Sequence, residues 1–175
     1  MAIGLWYFAQ QLVVRGSRGL ALEAPVLVWE SVELRPGEVP YQNTEAGTFQ
    51  TRPRTGDALV FELKKGPSKQ NAFAVGITVG RAETNDVPID DVSVSRFHAY
   101  FHHDLKTGWK LYDAESSNGT WLGALKLTPK TGEPIGDRSR VRFGDVEMTF
   151  YEPKSFSAFL QKRMASGGAG GPVPL

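Results

Sequence analysis

The sequence predicts an all-β protein, an antiparallel β-sandwich of short strands with short helical extensions at both ends. Three observations carry this expectation. Residues 57–151 break into eight short runs of apolar or alternating residues. Turn-forming residues stand between the runs, with Gly66-Pro67, Asn85-Asp86, Thr107-Gly108 and Asn118-Gly119 among them. Residues 97–104 and 109–113 alternate with the period of two that a half-buried strand requires.

Taken in order, residues 3–14 have helical spacing. Leu5, Phe8, Ala9 and Leu12 fall on one stripe, which Trp6 and Val13 widen, and Gly16 and Gly19 end it. Residues 25–30 are a candidate short strand. Residues 35–56 hold three prolines and few large aliphatics, the composition of a loop or linker. Strands are then expected at 58–63, stopped by Gly66-Pro67, and at 73–79, stopped by Gly80. A short strand at 87–90 follows. Over 97–104, Phe97, Ala99 and Phe101 are assigned to one face, and His98, Tyr100 and His102 to the other. Residues 109–113, 120–122, 141–143 and 146–151 complete the set. Residues 155–164 are a candidate helix with Phe156, Phe159 and Leu160 on one side, and the Gly- and Pro-rich tail from 166 onward reads as disordered.

A chain of 175 residues suits one domain with a sizeable core plus extensions. Its composition, 41% apolar and 22% charged, is that of a soluble globular protein. A net charge of +1 offers no bulk attraction for nucleic acid or a membrane surface. Without cysteine, the chain has neither disulfide framework nor thiolate metal site. The N-terminus lacks a basic leader region, Gln10-Gln11 interrupts its apolar run, and its first arginine is Arg15, so a cytoplasmic location is expected.

The chemistry concentrates in two stretches, GRAETNDVPIDDVSVSRFH at 80–98 and DAESSNGT at 113–120. Each sets an Arg, hydroxyls or an amide beside turn formers, outside the hydrophobic runs, which suits an anion held at the loop end of a β-fold. Arg81 offers a planar fork of donors that matches a phosphate. Ser95 and Ser117 add hydroxyl donors, and Asn118 brings a carbonyl and an amide.

The order and spacing of Gly80-Arg81, Ser95-Arg96-Phe97-His98 and Ser117-Asn118-Gly119-Thr120 resemble the forkhead-associated (FHA) domain. The Asn85-Asp86 turn and the closing Phe143-Gly144-Asp145 hairpin add to the likeness, which covers roughly residues 57–152. The resemblance implies an FHA-like antiparallel sandwich that binds phosphothreonine peptides and reads the output of a Ser/Thr kinase. It divides the chain into an N-terminal extension (1–56), the FHA domain (57–152) and a short helix with a tail (153–175).

By resemblance, Arg81 pairs with the phosphate, Ser95 donates its hydroxyl to a phosphate oxygen, and Ser117 does the same from the facing loop. Asn118 bonds the ligand backbone. Arg96 adds a second cation or a backbone donor. Gly80, His98 and Gly119 are structural, with His98 bonding loop backbone and fixing the Ser95 turn. Each has an ordinary alternative: an ion pair of Arg81 with Glu83 or Asp86, local turn bonds for the serines, a tight Asn-Gly turn, a solvated strand position for Arg96.

The expected partner is a phosphothreonine-containing protein or peptide, a Ser/Thr kinase or its substrate. Residues 82–86, 91–96, 114–118 and 128–138 are the expected sources of specificity. Thr44, Thr48, Thr51 and Thr55 in the linker are candidates for phosphorylation and self-binding. A phosphate-independent scaffold of the same fold is the alternative function, in which the N-terminal helix is the interface. An enzyme or metal centre on His98, His102 and His103 is the third. No catalytic motif, metal set or cofactor is expected, nor a nucleic-acid or membrane partner.

Overall fold

The computed structural model describes residues 3–5, 8, 22–30, 58–66, 73–74 and 76–166. The expected linker at 35–56 and the Gly/Pro tail from 167 lie outside these.

Two sheets face each other. One holds β1 (Ile3–Gly4), β2 (Val26–Glu30), β3 (Ala58–Glu62), β8 (Thr120–Leu122), β9 (Leu125–Lys126), β11 (Arg140–Phe143) and β12 (Val146–Tyr151). Its spatial order is β1-β3-β2-β12-β11-β8-β9. The other holds β4 (Ile77–Gly80), β5 (Val87–Pro88), β6 (Ala99–Asp104), β7 (Gly108–Asp113) and β10 (Glu133–Pro134), ordered β10-β7-β6-β4-β5. The inward residues of both form one core. Phe101 of β6 stacks on Phe150 of β12 with ring centroids 6.1 Å apart and meets Phe143 of β11 edge-on. Leu27, Phe61, Val79, Leu111 and Val141 close around them, all buried. Burial of this apolar surface, at about 25 cal/mol per Å², is the main force joining the sheets.

Among the described residues the antiparallel expectation holds for every pairing but one: β4 and β5 run parallel, with Val79 opposite Val87. The residues between them must loop out and return on the same side, and that loop carries Arg81.

The 1–56 extension does not stand outside the sandwich as a unit. β2 is inserted between β3 and β12, with Val28 opposite Val60 on one side and Thr149 on the other. Its residues Val26 to Trp29 are all buried. The strand is buried on both faces, so it shows an unbroken apolar run and no alternation.

The helix expected over 3–14 begins later than its spacing suggests. Ile3–Gly4 is a strand that pairs with β3, and Leu5 and Phe8 have helical backbone and are buried. These two pack with Val26, Val28, Ala58, Val60, Phe156 and Leu160 in a second cluster on the outer face of the larger sheet. The remaining residues of that stretch lie outside those described.

The C-terminal helix, α1 (Pro153–Ala165), carries a proline at its start, where a missing N–H costs nothing. It buries Phe156 and Leu160 in the same cluster, and Phe8 meets Phe156 edge-on at 5.5 Å.

Three strand expectations shorten. β4 starts at Ile77, since Ala74 lies in a turn and Gly76 in a bend; a Cβ at Gly76 would stand 2.4 Å from the Phe101 carbonyl oxygen. β5 ends at Pro88. β6 starts at Ala99, so the alternation assigned to 97–104 does not reach its first two residues. Phe97 turns outward onto Phe73 and Tyr100, and His98 turns inward against Phe143. The short strands β9 and β10 are too brief to leave a periodic signal.

Candidate functional site

Gly80 ends β4 where Ala99 begins β6, Asp113 ends β7, Thr120 begins β8 and Phe143 ends β11. The connecting loops therefore meet at one end of the sandwich. They carry Arg81, Ser95, Arg96, His98, Ser117, Asn118 and Gly119.

Gly80 is there because nothing larger fits. A Cβ would lie 2.5 Å from the Arg96 carbonyl oxygen and 2.9 Å from Asn85 Nδ2. This close approach lets the β4–β5 loop be stitched to the β5–β6 loop. The Arg81 amide donates to the Ser95 carbonyl at 2.9 Å, and the Ala82 amide to that of Arg96 at 3.1 Å. Asn85 Nδ2 donates to both Ala82 O and Arg96 O at 2.7 Å.

The Arg81 side chain is exposed and makes no ion pair among the described residues, so the expected alternative with Glu83 or Asp86 is not formed. Asp86 instead takes Lys65 Nζ at 2.9 Å and the amides of Gly66 and Thr78. Burial pushes the Asp86 carboxyl up, but the Lys65 hydrogen bond, the two amides and the Lys65 charge together hold it below its usual value. Arg81 Nε donates to the Val94 carbonyl at 3.3 Å, which anchors the guanidinium at its base and leaves the terminal fork free to meet an anion.

Ser95 and Ser117 come together from opposite loops. The Ser117 amide donates to Ser95 Oγ at 3.0 Å, and the two hydroxyl oxygens are 3.4 Å apart. Ser95 Oγ accepts from that amide and directs its own proton at Ser117 Oγ, a long contact that a stronger acceptor can replace. Asn118 Nδ2 donates to the Ser93 carbonyl at 2.8 Å, leaving Oδ1 and a second N–H unspent. Arg96 is exposed, with no side-chain bond among the described residues.

His98 is fully buried beneath the serines. The Ser95 amide donates to Nδ1 at 2.9 Å, and Nε2 lies 3.0 Å from the Gly119 carbonyl. An amide can only donate, so Nδ1 accepts and the ring proton sits on Nε2. Both nitrogens are then occupied and neither lone pair is open to a metal. Burial lowers the His98 pKa below its ordinary value, against the opposing pull of the Gly119 carbonyl and the Asp113 charge. His102 and His103 lie at the far end of β6, where an open hollow of about 420 Å³ is also lined by Lys65 and Trp109.

Two carboxylates support these loops: Asp113, to which the sequence reading gave no role, and Asp91, which with Asp90 reads in the sequence as part of a turn. Asp113 accepts Ser116 Oγ and Thr120 Oγ1, each at 2.6 Å, and the Ser116 amide. Ser116 Oγ in turn accepts the Gly119 amide at 3.0 Å. Asp91 takes the Ser93 amide and hydroxyl, and Ser93 Oγ takes the Asp145 amide. The spacings Asp113-x-x-Ser116 and Asp91-x-Ser93 are local carboxylate-to-backbone turns, a signal present in the chain but common to many loops.

An FHA domain family model matches residues 77–144, which span every loop of this site. An oxoglutarate dehydrogenase inhibitor of Corynebacterium diphtheriae is 30% identical over 112 residues, 62% of this chain and 74% of that protein. The glycogen accumulation regulator GarA of Mycolicibacterium smegmatis is 31% identical over 106 residues, 58% of this chain and 63% of that one. Among solved structures, Mycobacterium tuberculosis EmbR in complex with a low affinity phosphopeptide aligns at 27% identity with a TM-score of 0.43, over 53% of this chain and 21% of that chain.

Proposed function

The chain belongs to the FHA domain family, and from that membership we propose that it is a phosphothreonine-dependent interaction module that reads the output of a Ser/Thr kinase. The observation that carries this reading is the Ser95–Ser117 pair. Two hydroxyls 3.4 Å apart, from loops otherwise remote in sequence, can bond one phosphate together. Arg81, tethered at Nε on the same loop, supplies the charge. A phosphothreonine brings about −1.5 to −2 charges and three strong acceptor oxygens, which this donor set matches. Arg96 is a second cation at the rim, and Asn118 Oδ1, unspent in the structure, would accept from the ligand backbone. The relatives named as an inhibitor and a regulator support a regulatory role and not a catalytic one.

The partner is a phosphothreonine-containing kinase or kinase substrate. A phosphorylated Thr44, Thr48, Thr51 or Thr55 would be an intramolecular ligand, favoured by a high effective concentration. Mass spectrometry after kinase treatment tests this, and an absence of modification at all four ends it.

Fluorescence anisotropy with a degenerate phosphothreonine peptide library and its unphosphorylated twin tests the main reading. Binding to the phosphorylated set alone is the expected result, with micromolar affinity, about −8 kcal/mol. Arg81→Ala should weaken it at least tenfold, about 1.4 kcal/mol, and leave the melting temperature unchanged, since the side chain is exposed. Equal binding of both sets would favour the phosphate-independent scaffold.

A further inference from the structure

Beside the phosphate-binding loops, the outer face of the larger sheet carries a row of three side chains that the proposed site does not use. Trp121 on β8 stands opposite Lys126 on β9 and Arg142 on β11. The Arg142 guanidinium carbon lies 3.5 Å from the centroid of a Trp121 ring, and Lys126 Nζ lies 5.2 Å from one. Two cations thus share one indole. Neither forms an ion pair among the described residues. Glu147, the neighbour of Arg142 across β12, is turned to Arg140 instead. Asp145, exposed on the adjoining turn, pairs with neither cation.

The row is continuous with the ligand loops. A Cβ at Gly119 would lie 2.6 Å from Lys126 Cε and 3.2 Å from its Nζ, so the ammonium sits over the residue next to Asn118. Arg142 Nη1 donates to the Gly144 carbonyl at 2.8 Å. The Gly144 amide donates in turn to the Gly119 carbonyl, and a Cβ at Gly144 would stand 2.3 Å from the Ser93 oxygen that Asn118 holds. Both cations therefore rest on the backbone that anchors Asn118. The aromatic ring holds them in place, which lowers the entropy lost on meeting an anion. A carboxylate seated between them would also relieve their mutual repulsion.

We propose that Lys126, Trp121 and Arg142 form a cationic ledge that selects a phosphopeptide with an Asp or Glu close to its phosphothreonine. The inference rests on the phosphothreonine reading and adds a chemical class of ligand to it. The ledge lies outside the loops expected to set specificity.

The test uses the full chain and fluorescence anisotropy. Phosphothreonine peptides are paired so that members differ only by Glu or Gln at one flanking position at a time. The wild type should favour Glu at one or two neighbouring positions by five- to tenfold. Lys126→Gln and the double variant Lys126→Gln/Arg142→Gln should erase that preference while binding the Gln peptides as the wild type does. Those Gln peptides are the folding control, because a disrupted fold loses both members of a pair. Phosphopeptide binding with no Glu preference overturns the ledge and leaves the reader intact. A uniform Glu preference that survives both substitutions reflects bulk charge and also overturns it. If no phosphothreonine peptide binds the folded chain, the reader fails and the ledge with it.

Discussion

His98 shows how a buried side chain governs an exposed site. Its Nδ1 holds the Ser95 amide and its Nε2 the Gly119 carbonyl, so one ring ties together the two loops that present hydroxyls. Replacing it with Ala would leave both backbone groups buried and unpaired and open a cavity, a loss of about 2–4 kcal/mol readable by denaturant unfolding. Its pKa is lowered from 6.5, chiefly by burial. The unfolded chain therefore takes up a proton on this ring before the folded chain does. The stabilisation is complete above pH 6.5 and declines as pH falls below that toward the folded value. Protonation of Nδ1 would also expel the Ser95 amide. Unfolding midpoints and phosphopeptide affinity should accordingly fall together between neutral pH and pH 5, and a pH-independent midpoint across that window would contradict the assignment. Much of this was visible in the chain: Ser95-x-x-His98 marks the turn. What stayed hidden was the direction of the ring, because the strand alternation placed His98 on the face opposite Ala99 while both are in fact buried.

Among the elements, β2 and α1 were the hardest to place from sequence. β2 has the composition of a strand, yet about 27 residues separate it from β3, and nothing local says that it inserts beside β12. Pairing across so long a separation depends on which hydrophobic face is left open after the rest has folded. α1 closes that face. Its Phe156 and Leu160 cover Val26, Val28 and Val60 together with Leu5 and Phe8, and Arg163 pairs with Glu30. Phe156→Ala should cost about 3–5 kcal/mol by leaving a cavity under a fully buried ring, measured by chemical denaturation. Affinity for phosphopeptide should persist in the fraction still folded, since the helix packs away from the loops. Loss of affinity without loss of stability would mean that α1 acts on the site directly. Among the described residues of the N-terminal stripe, Leu5 and Phe8 are buried in this cluster and so are not available to a partner of the scaffold alternative.

Across the molecule, the site loops are held before any ligand arrives. Asp91, Asp113, Asn85, Asn118 and His98 each bond a neighbouring loop or turn, and the described residues contain no buried side-chain polar atom without a partner. Binding to such a preformed end needs little reordering, so most of the binding energy should appear as stabilisation of the fold. A phosphopeptide at about 100 times its Kd should add about 2.7 kcal/mol, raising the melting temperature by about 5–10 °C in a domain of this size, and its unphosphorylated twin should add nothing. The candidate donors could be named from the chain, because Gly80-Arg81, Ser95-x-x-His98 and Ser117-Asn118-Gly119 are local patterns that resemble those of the FHA domain. Eight of the ten described strands between 57 and 151 were legible, since a period of two or a short apolar run is a local property, and the two-residue β9 and β10 were not. Three things depended on the folded chain: the parallel β4–β5 pairing, the insertion of β2 beside β12, and the 3.4 Å approach of Ser95 to Ser117. Each joins residues through contacts that hydrophobic burial selects over the whole core, and no local stretch of sequence records that selection.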